Sequence, residues 1–577
     1  MIKKLAKSIR EYKKETILTP VFMILEVVME TLIPFLLARL IDDGVKSGNM
    51  GVITKFGIFL VVSAICSLVF SIIAGVLASK ASCGFAKNLR HDMYYKIQEY
   101  SFYNIDKFSA SSIVTRLTTD VGNVQMAYMM MIRMAFRTPF TILFSLIMAF
   151  SINKKISLIF LVIMPILAFL LLFIARKAHK YFDKVFKTYD KLNNVVSENV
   201  RGMRVVKSSV TENKEISKFK KVSNEIYNYH IKAERIVAFN SPLMQLVMFS
   251  CIVFISYFSA VNIASYNMQT GEFMSLITYS LQILSNLMML SMMFVILTIS
   301  GTSAKRIVEV LDEVPDLVNV SEPVKCVKDG SIVFKNVSFS YVKDKDKLCL
   351  KKIDINIKSG ETVGILGGTG SGKSTLVQLI PRLYDVIDGK VLVGGIDVRD
   401  YDINVLRDEV AMVLQKNVLF SGTIKENLRW GCENASDDDM IRVCMLDQAD
   451  GFINDFPKKY DTYIEQGGSN VSGGQKQRLC IARALLKKPK ILILDDSTSA
   501  VDTKTDKLIR EAFRNEIPDT TKIIISARVS SIMDCDKIIV MDNGKINGIG
   551  THNELLNNNE IYKDVYLSQN KGGVINE

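Results

Sequence analysis

Residues Gly367–Ser374 read GGTGSGKS, a fit to G-x-x-x-x-G-K-[ST]. The stretch lies between an apolar, strand-like run, Thr362–Leu366, and a helical run, Thr375–Leu383. Strand, loop and helix in that order form the context a phosphate-binding loop needs. Glycines there let backbone N–H groups turn toward phosphate oxygens with no Cβ in the way. The following helix points its positive end at the same anion. Lys373 has the reach to contact β and γ oxygens, and the Ser374 hydroxyl suits Mg²⁺. The bland alternative is a glycine-rich turn that matches by chance, and the motifs that follow weigh against it.

Downstream, Val471–Arg478 reads VSGGQKQR and leads into good helix formers, Leu479–Leu486. Ser472 and the two glycines would present a hydroxyl and backbone N–H groups at a helix start, a second anion site. Ile491–Asp495 reads ILILD, a buried parallel strand ending in a carboxylate. Asp495 is thereby placed to hold the water shell of Mg²⁺.

Upstream the composition changes. The chain has 577 residues, enough for more than one domain. Hydrophobic residues make up 49% and the mean hydropathy is +0.22. The excess lies in about the first 300 residues; the rest reads as a soluble α/β domain. A net charge of +13 does not point to nucleic acid, because the basic residues cluster beside apolar spans. There they set topology and meet anionic lipid head groups. The nine cysteines are scattered without a CxxC pair. That indicates neither a zinc site nor a disulfide framework and fits a reducing cytosol. The basic N-terminus runs into an apolar segment without a cleavage-type boundary.

Six membrane spans are expected, at 17–41, 56–79, 134–152, 156–175, 241–263 and 273–299. The third is the weakest, flanked by Arg133 and Arg137 and interrupted by Pro139, with a possible earlier start in Met126–Met131. Lysines and arginines gather at the N-terminus, after span two and after span four, and the link Val261–Glu272 has none. This places the N-terminus and the C-terminal half in the cytoplasm; Lys154 and Lys155, in a short outside link, break the rule. The cytoplasmic connections, 80–133 and 176–240, keep helical periodicity. They read as membrane helices extended into the cytosol, each turning back through a short element near Phe102–Phe108 and Arg201–Val210 that would dock on the nucleotide-binding half. Glu26, Glu30 and Arg39 lie in or at the end of span one, with Glu26 and Glu30 sharing a face. Either the carboxylates are bonded within the bundle or they serve cargo or protons. The methionines of Met126–Met131 and Met288–Met293 form either an adaptable pocket or ordinary packing. A linker near Asp312–Gly330, with Pro315 and Pro323, precedes β-like alternation at Ile332–Tyr341. The expected domains are a membrane part, 1–315, a linker, 316–330, and a nucleotide-binding part, 331–577.

With these motifs in order — P-loop, Gln415, VSGGQ, ILILDD, SAVD — the chain resembles the ATP-binding cassette superfamily over nearly its whole length. Six spans followed by one cassette are similar to an exporter-type half-transporter, as in bacterial multidrug exporters. The fold implied is a helical membrane bundle with long cytoplasmic extensions, followed by an α/β P-loop domain. The resemblance implies a dimer in which two ATP molecules are held, each between one chain's P-loop and the other chain's SGGQ, driving alternating access. It further implies that Tyr341 stacks on adenine, the alternative being a plain strand aromatic. Gly367, Gly370, Ser371, Gly372, Lys373, Ser374 and Thr375 would hold the phosphates. Ser374, Asp495 and Gln415 would handle Mg²⁺. Ser472, Gly473, Gly474 and Gln475 would complete the partner's site, and Asp502 would cross the interface.

Two positions depart from the family's pattern. Asp496 stands where the family has the Glu that polarises the attacking water. Its carboxylate is drawn back by about 1.5 Å, and a misplacement of about 1 Å costs on the order of a hundredfold in rate. In IIISAR, Ile523–Arg528, Ala527 replaces the family's switch His and offers no donor to the γ-phosphate. Both losses fall on the site built on this chain's own P-loop, while SGGQ is intact. This resembles the degenerate chain of a heterodimeric exporter of amphipathic drugs, lipids or peptides. The alternatives are a homodimer with an engineered His→Ala change, an ATP-gated channel, a regulatory subunit, and an importer of metal chelates.

Overall fold

Long helices build the first of two units, Met1–Glu99 with Ser109–Glu313. The structure, a computed structural model, describes residues 1–497 and 501–571. At positions 179, 186, 190, 291, 294, 295, 298, 299, 570 and 571 it describes the backbone alone. The main helices here are α1 (Lys13–Arg39), α2 (Met50–Gln98), α3 (Phe102–Phe108), α4 (Val121–Ile152), α5 (Lys154–Arg201), α6 (Met203–Ser208), α7 (Glu212–Val237), α8 (Asn240–Ala264) and α9 (Thr270–Asp312). All but α3 lie in the first unit. Among the described residues, six helical stretches are long and apolar enough to cross a membrane; the first five each contain one expected span, and the sixth, Thr270–Leu290, covers the first part of 273–299. Local chemistry sets their starts. Asn49 accepts from the N–H groups of Gly51 and Val52 at the head of α2, and Asn153 from those of Lys155 and Ile156 at the head of α5. Gly202 follows the last residue of α5.

The third expected span lies within α4, which begins at Val121 and runs through Arg133 and Pro139 without a break. Arg137 is carried inside because Glu30 pairs with it at 2.9 Å. A proline in a packed membrane helix is tolerated when neighbouring helices compensate. A π turn, Leu40–Val45, follows α1 and turns the Asp42 carboxylate onto the start of α9. It accepts from Gly271 N at 2.7 Å and Glu272 N at 3.1 Å. Of the two short turning elements, α3 groups with the second unit. The other, α6, has no buried residue.

The second unit, Tyr100–Phe108 with Val314–Glu577, is built on two sheets. An antiparallel sheet orders β2 (Leu350–Ile357), β1 (Ile332–Phe339), β4 (Asp388–Val393) and β5 (Ile396–Asp397) side by side. The larger sheet has the order β12-β11-β3-β10-β9-β6, formed by β3 (Thr362–Gly367), β6 (Val410–Val413), β9 (Ile491–Asp495), β10 (Thr521–Ile525), β11 (Lys537–Asp542) and β12 (Lys545–Gly550). A ribbon of β7 (Gly422–Thr423) and β8 (Tyr463–Ile464) stands apart from both. β9 is buried throughout, as its unbroken apolar run requires. Its parallel register with β10 sets Asp495 beside Ile525, and β10 sets Ile525 beside Ile365. The P-loop, Asp495 and the segment after Ile525 therefore leave the sheet at one edge, the carboxyl end where α/β sheets bind ligands.

The helix after the P-loop, α10 (Lys373–Gln378), is shorter than the expected Thr375–Leu383. Pro381 lacks an N–H and disfavours helical geometry in the residue before it. Arg382 then takes φ +51°. Conversely, α11 (Gly473–Leu485) starts at the glycines rather than at Leu479.

Candidate nucleotide-binding site

Left-handed backbone at Gly370 and Gly372, φ +81° and +97°, opens the loop after β3. A Cβ at Gly370 or Gly368 would meet nothing within 4 Å, whereas one at Gly367 would stand 2.3 Å from Met541 O. The glycines thus serve different ends, close packing against β11 at Gly367 and an open cradle at Gly368 and Gly370. Lys373 Nζ donates to Gly367 O and Gly368 O, both at 2.8 Å, so the ammonium curls over the loop. Ser371 is 4% exposed and its Oγ has no hydrogen-bond partner among the described residues. A buried hydroxyl is rarely left unbonded; here it sits in the loop that a phosphate would fill.

Ser374 Oγ donates to Asp495 Oδ1 at 3.0 Å. Burial pushes the Asp495 carboxyl up, and the charge of Asp496 adds to this against the Ser374 hydrogen bond and Lys373. Burial likewise lowers the Lys373 ammonium, while Asp495 and Asp496 raise it. Such a site favours a cation next to Asp495, which would restore its charged form. Gln415, exposed after β6, donates from Nε2 to Asp496 Oδ2 at 3.4 Å. Asp496 itself has φ +49°, and its N–H donates to Ile525 O at 3.0 Å.

Tyr341 arrives from the antiparallel sheet. Its hydroxyl lies 3.0 Å from Thr375 Oγ1 and donates to Gln378 Oε1 at 3.2 Å, so its ring stands next to α10. Residues 341, 367–375, 415, 495 and 496 are in this way drawn together from separated stretches of chain. Ala527 is exposed, and its carbonyl accepts from Gln569 Nε2 at 2.8 Å; Gln569 Oε1 in turn accepts from Val529 N at 2.9 Å. No sequence motif marks Gln569, in helix α13 (Glu560–Lys571), as a holder of this loop.

The hydrogen bonds of Ser472 and Gln475 close on each other: Gln475 N donates to Ser472 Oγ at 3.2 Å, and Ser472 N to Gln475 Oε1 at 2.9 Å. This capping box starts α11. Asp502 caps α12 (Thr503–Glu516), accepting from Thr505 N at 3.0 Å, which holds its carboxyl below the usual range. Ser499 and Ala500 of the SAVD turn lie outside the described residues.

Residues 16–288 match the family described as ABC transporter transmembrane region, and residues 350–499 the one described as ABC transporter. An ABC transporter ATP-binding protein of Bacillus subtilis, YfiB, is 35% identical over 95% of both chains. The chain belongs to the ABC transporter family. An ATP-dependent lipid A-core flippase of Syntrophus aciditrophicus is 27% identical over 100% of this chain and 96% of its own. A bacterial Atm1-family ABC exporter solved with ATP bound shares the fold, with TM-score 0.84, 21% identity, and coverage of 96% and 98%. This ABC transporter is a multi-pass membrane protein with an ATP-binding part on the cytoplasmic side.

Proposed function

We propose that the chain is half of an ATP-driven exporter of amphipathic molecules and works with a second, different half-transporter. Its own P-loop holds ATP and turns it over slowly. Its Ser472–Gln475 box completes the partner's competent site. Similarity to a protein named as a flippase supports lipid-like cargo.

In this reading Tyr341 stacks on the base, and Gly367, Gly370, Ser371, Gly372, Lys373 and Thr375 hold the phosphates. Ser374, Asp495 and Gln415 hold Mg²⁺; the raised Asp495 carboxyl beside a hydroxyl donor is the setting a divalent cation suits. Mg²⁺ would neutralise charge building on the transferring phosphoryl group. Asp496 occupies the base position with a short side chain, and Gln415 reaches it. Ala527 supplies backbone alone. Asp502 borders the partner.

The observation that carries this reading is the double loss at one site, Asp496 and Ala527, beside an intact Ser472 box. Lys373→Ala should abolish nucleotide binding at this chain's site yet leave measurable turnover of the assembly. Ser472→Ala should reduce turnover far more, although it touches no nucleotide of its own chain. Equal losses in a steady-state ATPase assay, or brisk turnover by the chain purified without a companion, would sink the asymmetry.

A further inference from the structure

Two charged pairs face each other in the membrane bundle. Glu26 and Glu30 are four residues apart on α1; Arg133 and Arg137 are four apart on α4. Simple structural pairing would join each carboxylate to its own guanidinium. The geometry is different. Among the described residues, Arg137 Nη2 ion-pairs with both carboxylates, at 2.9 Å from Glu30 Oε2 and 3.5 Å from Glu26 Oε1. Glu26 is 6% exposed; the Ser71 hydroxyl approaches its carboxylate, yet Oε2 makes no hydrogen bond of normal geometry among the described residues. Arg133 Nε is likewise buried and unpartnered.

Ionisable groups in a bilayer are costly and belong to functional sites by default. A buried acceptor and a buried donor left unbonded make that cost larger. A group that satisfied Glu26 Oε2 must be cationic or a strong donor. The strongest partner for the Arg133 guanidinium is an anion, such as a phosphate or carboxylate. The two glutamates and two arginines carry no net charge. A ligand with a single charge would therefore meet repulsion at one end and unbalance the cluster. A ligand carrying both charges would not. Leu25, Met131 and Phe136 are exposed on the same two helices and offer apolar surface to a hydrocarbon tail.

We propose that Glu26 and Arg133, organised around Arg137, form the head-group site for a zwitterionic amphiphile, the ammonium of which meets Glu26 and the anionic group of which meets Arg133. This rests on the reading of the chain as an exporter of amphipathic cargo, and it names the class of cargo.

The test is binding by the purified assembly in a maltoside micelle, whose head groups are uncharged. Four probes of matched acyl length are compared: lysophosphatidylethanolamine, lysophosphatidylglycerol, acylcholine and monoacylglycerol. The zwitterion should bind at least about tenfold tighter than the others, a difference of about 1.4 kcal/mol. Glu26→Gln should shift preference to the anionic probe, and Arg133→Gln to the cationic one. Glu26→Asp and Arg133→Lys should keep the original order, which guards against variants that merely misfold. Equal binding of all four probes, or glutamine variants that keep the wild-type order, would overturn the site. Movement of a fluorescent amphiphile into vesicles on ATP addition is measured separately. Transport with unselective binding removes this inference alone; selective binding without transport removes the export reading alone.

Discussion

Asp496 sits on left-handed backbone, φ +49°, a region that Asp enters more readily than most side chains with a Cβ. The same residue therefore suits the turn and, in the proposed role of base, has the shorter reach. Asp496→Glu regains about 1.5 Å at a backbone cost on the order of 1 kcal/mol. Ala527 is exposed and held through its carbonyl by Gln569, so a larger side chain is accommodated there. Asp496→Glu together with Ala527→His should raise the ATP turnover of the chain by at least about tenfold. Each alone should do less, and the melting temperature should fall slightly with the Glu. Turnover that stays at the wild-type level in the double variant would place the lesion elsewhere. Asp496 and Ala527 stood out in the sequence because they fall inside spaced motifs. Gln569 was not, because its partners lie 40 and 42 residues away with no periodic pattern to link them.

At the scale of elements, α9 begins on a carboxylate from another helix. Asp42 accepts from Gly271 N and Glu272 N, and a Cβ on Gly271 would stand 2.4 Å from Ala38 O and 2.6 Å from Asp42 Oδ2. Gly271→Ala should force α1 and α9 apart and lower the melting temperature more than Asp42→Asn, which keeps an acceptor. Equal shifts in a thermal melt would show that the cap and not the close approach matters. Caps such as Asn49 and Asn153 could be read locally, but a cap from 229 residues away leaves no local trace. The arginines of α4 illustrate the same limit. Read one span at a time, Arg133 marked a boundary; beside Glu26 and Glu30 at the same spacing, it becomes part of a cluster. In the cassette, Asp447 is fully buried, follows the helix Asp437–Leu446, and accepts from Ala449 N at 3.0 Å. Burial raises its carboxyl well above the usual range, against the pull of Arg478. The folded chain then binds more protons than the unfolded one, so this group's contribution falls as pH rises above the ordinary carboxylate value, by at most about 1.4 kcal/mol per pH unit. Asp447→Asn should flatten the decline of melting temperature as pH rises above the ordinary carboxylate value. An unchanged slope would mean that Asp447 is ionised in the fold.

At the scale of the whole molecule, alternation of charge and apolar spans exposed the division into a membrane part and a nucleotide part. Helical periodicity across 80–133 also exposed the extended helices and the turn between them. What it left hidden is how that turn is held. Tyr384 OH donates to Asp106 Oδ2 at 3.2 Å and its ring lies 6.0 Å from that of Phe102, both on α3. Lys343 lies over the Tyr103 ring at 4.6 Å, and Ser101 donates to Asp316. The Tyr384 ring also meets Tyr341 edge-on at 5.1 Å, and Tyr341 bonds to the helix that follows the P-loop. A continuous set of contacts thus joins the candidate nucleotide site to α3, which lies between α2 and α4 in the chain. Tyr384→Phe keeps the ring packing and removes the hydroxyl alone. The lost hydrogen bond is worth about 1 kcal/mol. If the contact carries coupling, the ratio of cargo-stimulated to basal ATP turnover should fall by about fivefold, with nucleotide affinity at the Lys373 site unchanged. Asp106→Asn, which still accepts from the hydroxyl, should fall less. A Tyr384→Phe variant with the wild-type ratio would leave the coupling to contacts that do not pass through Tyr341.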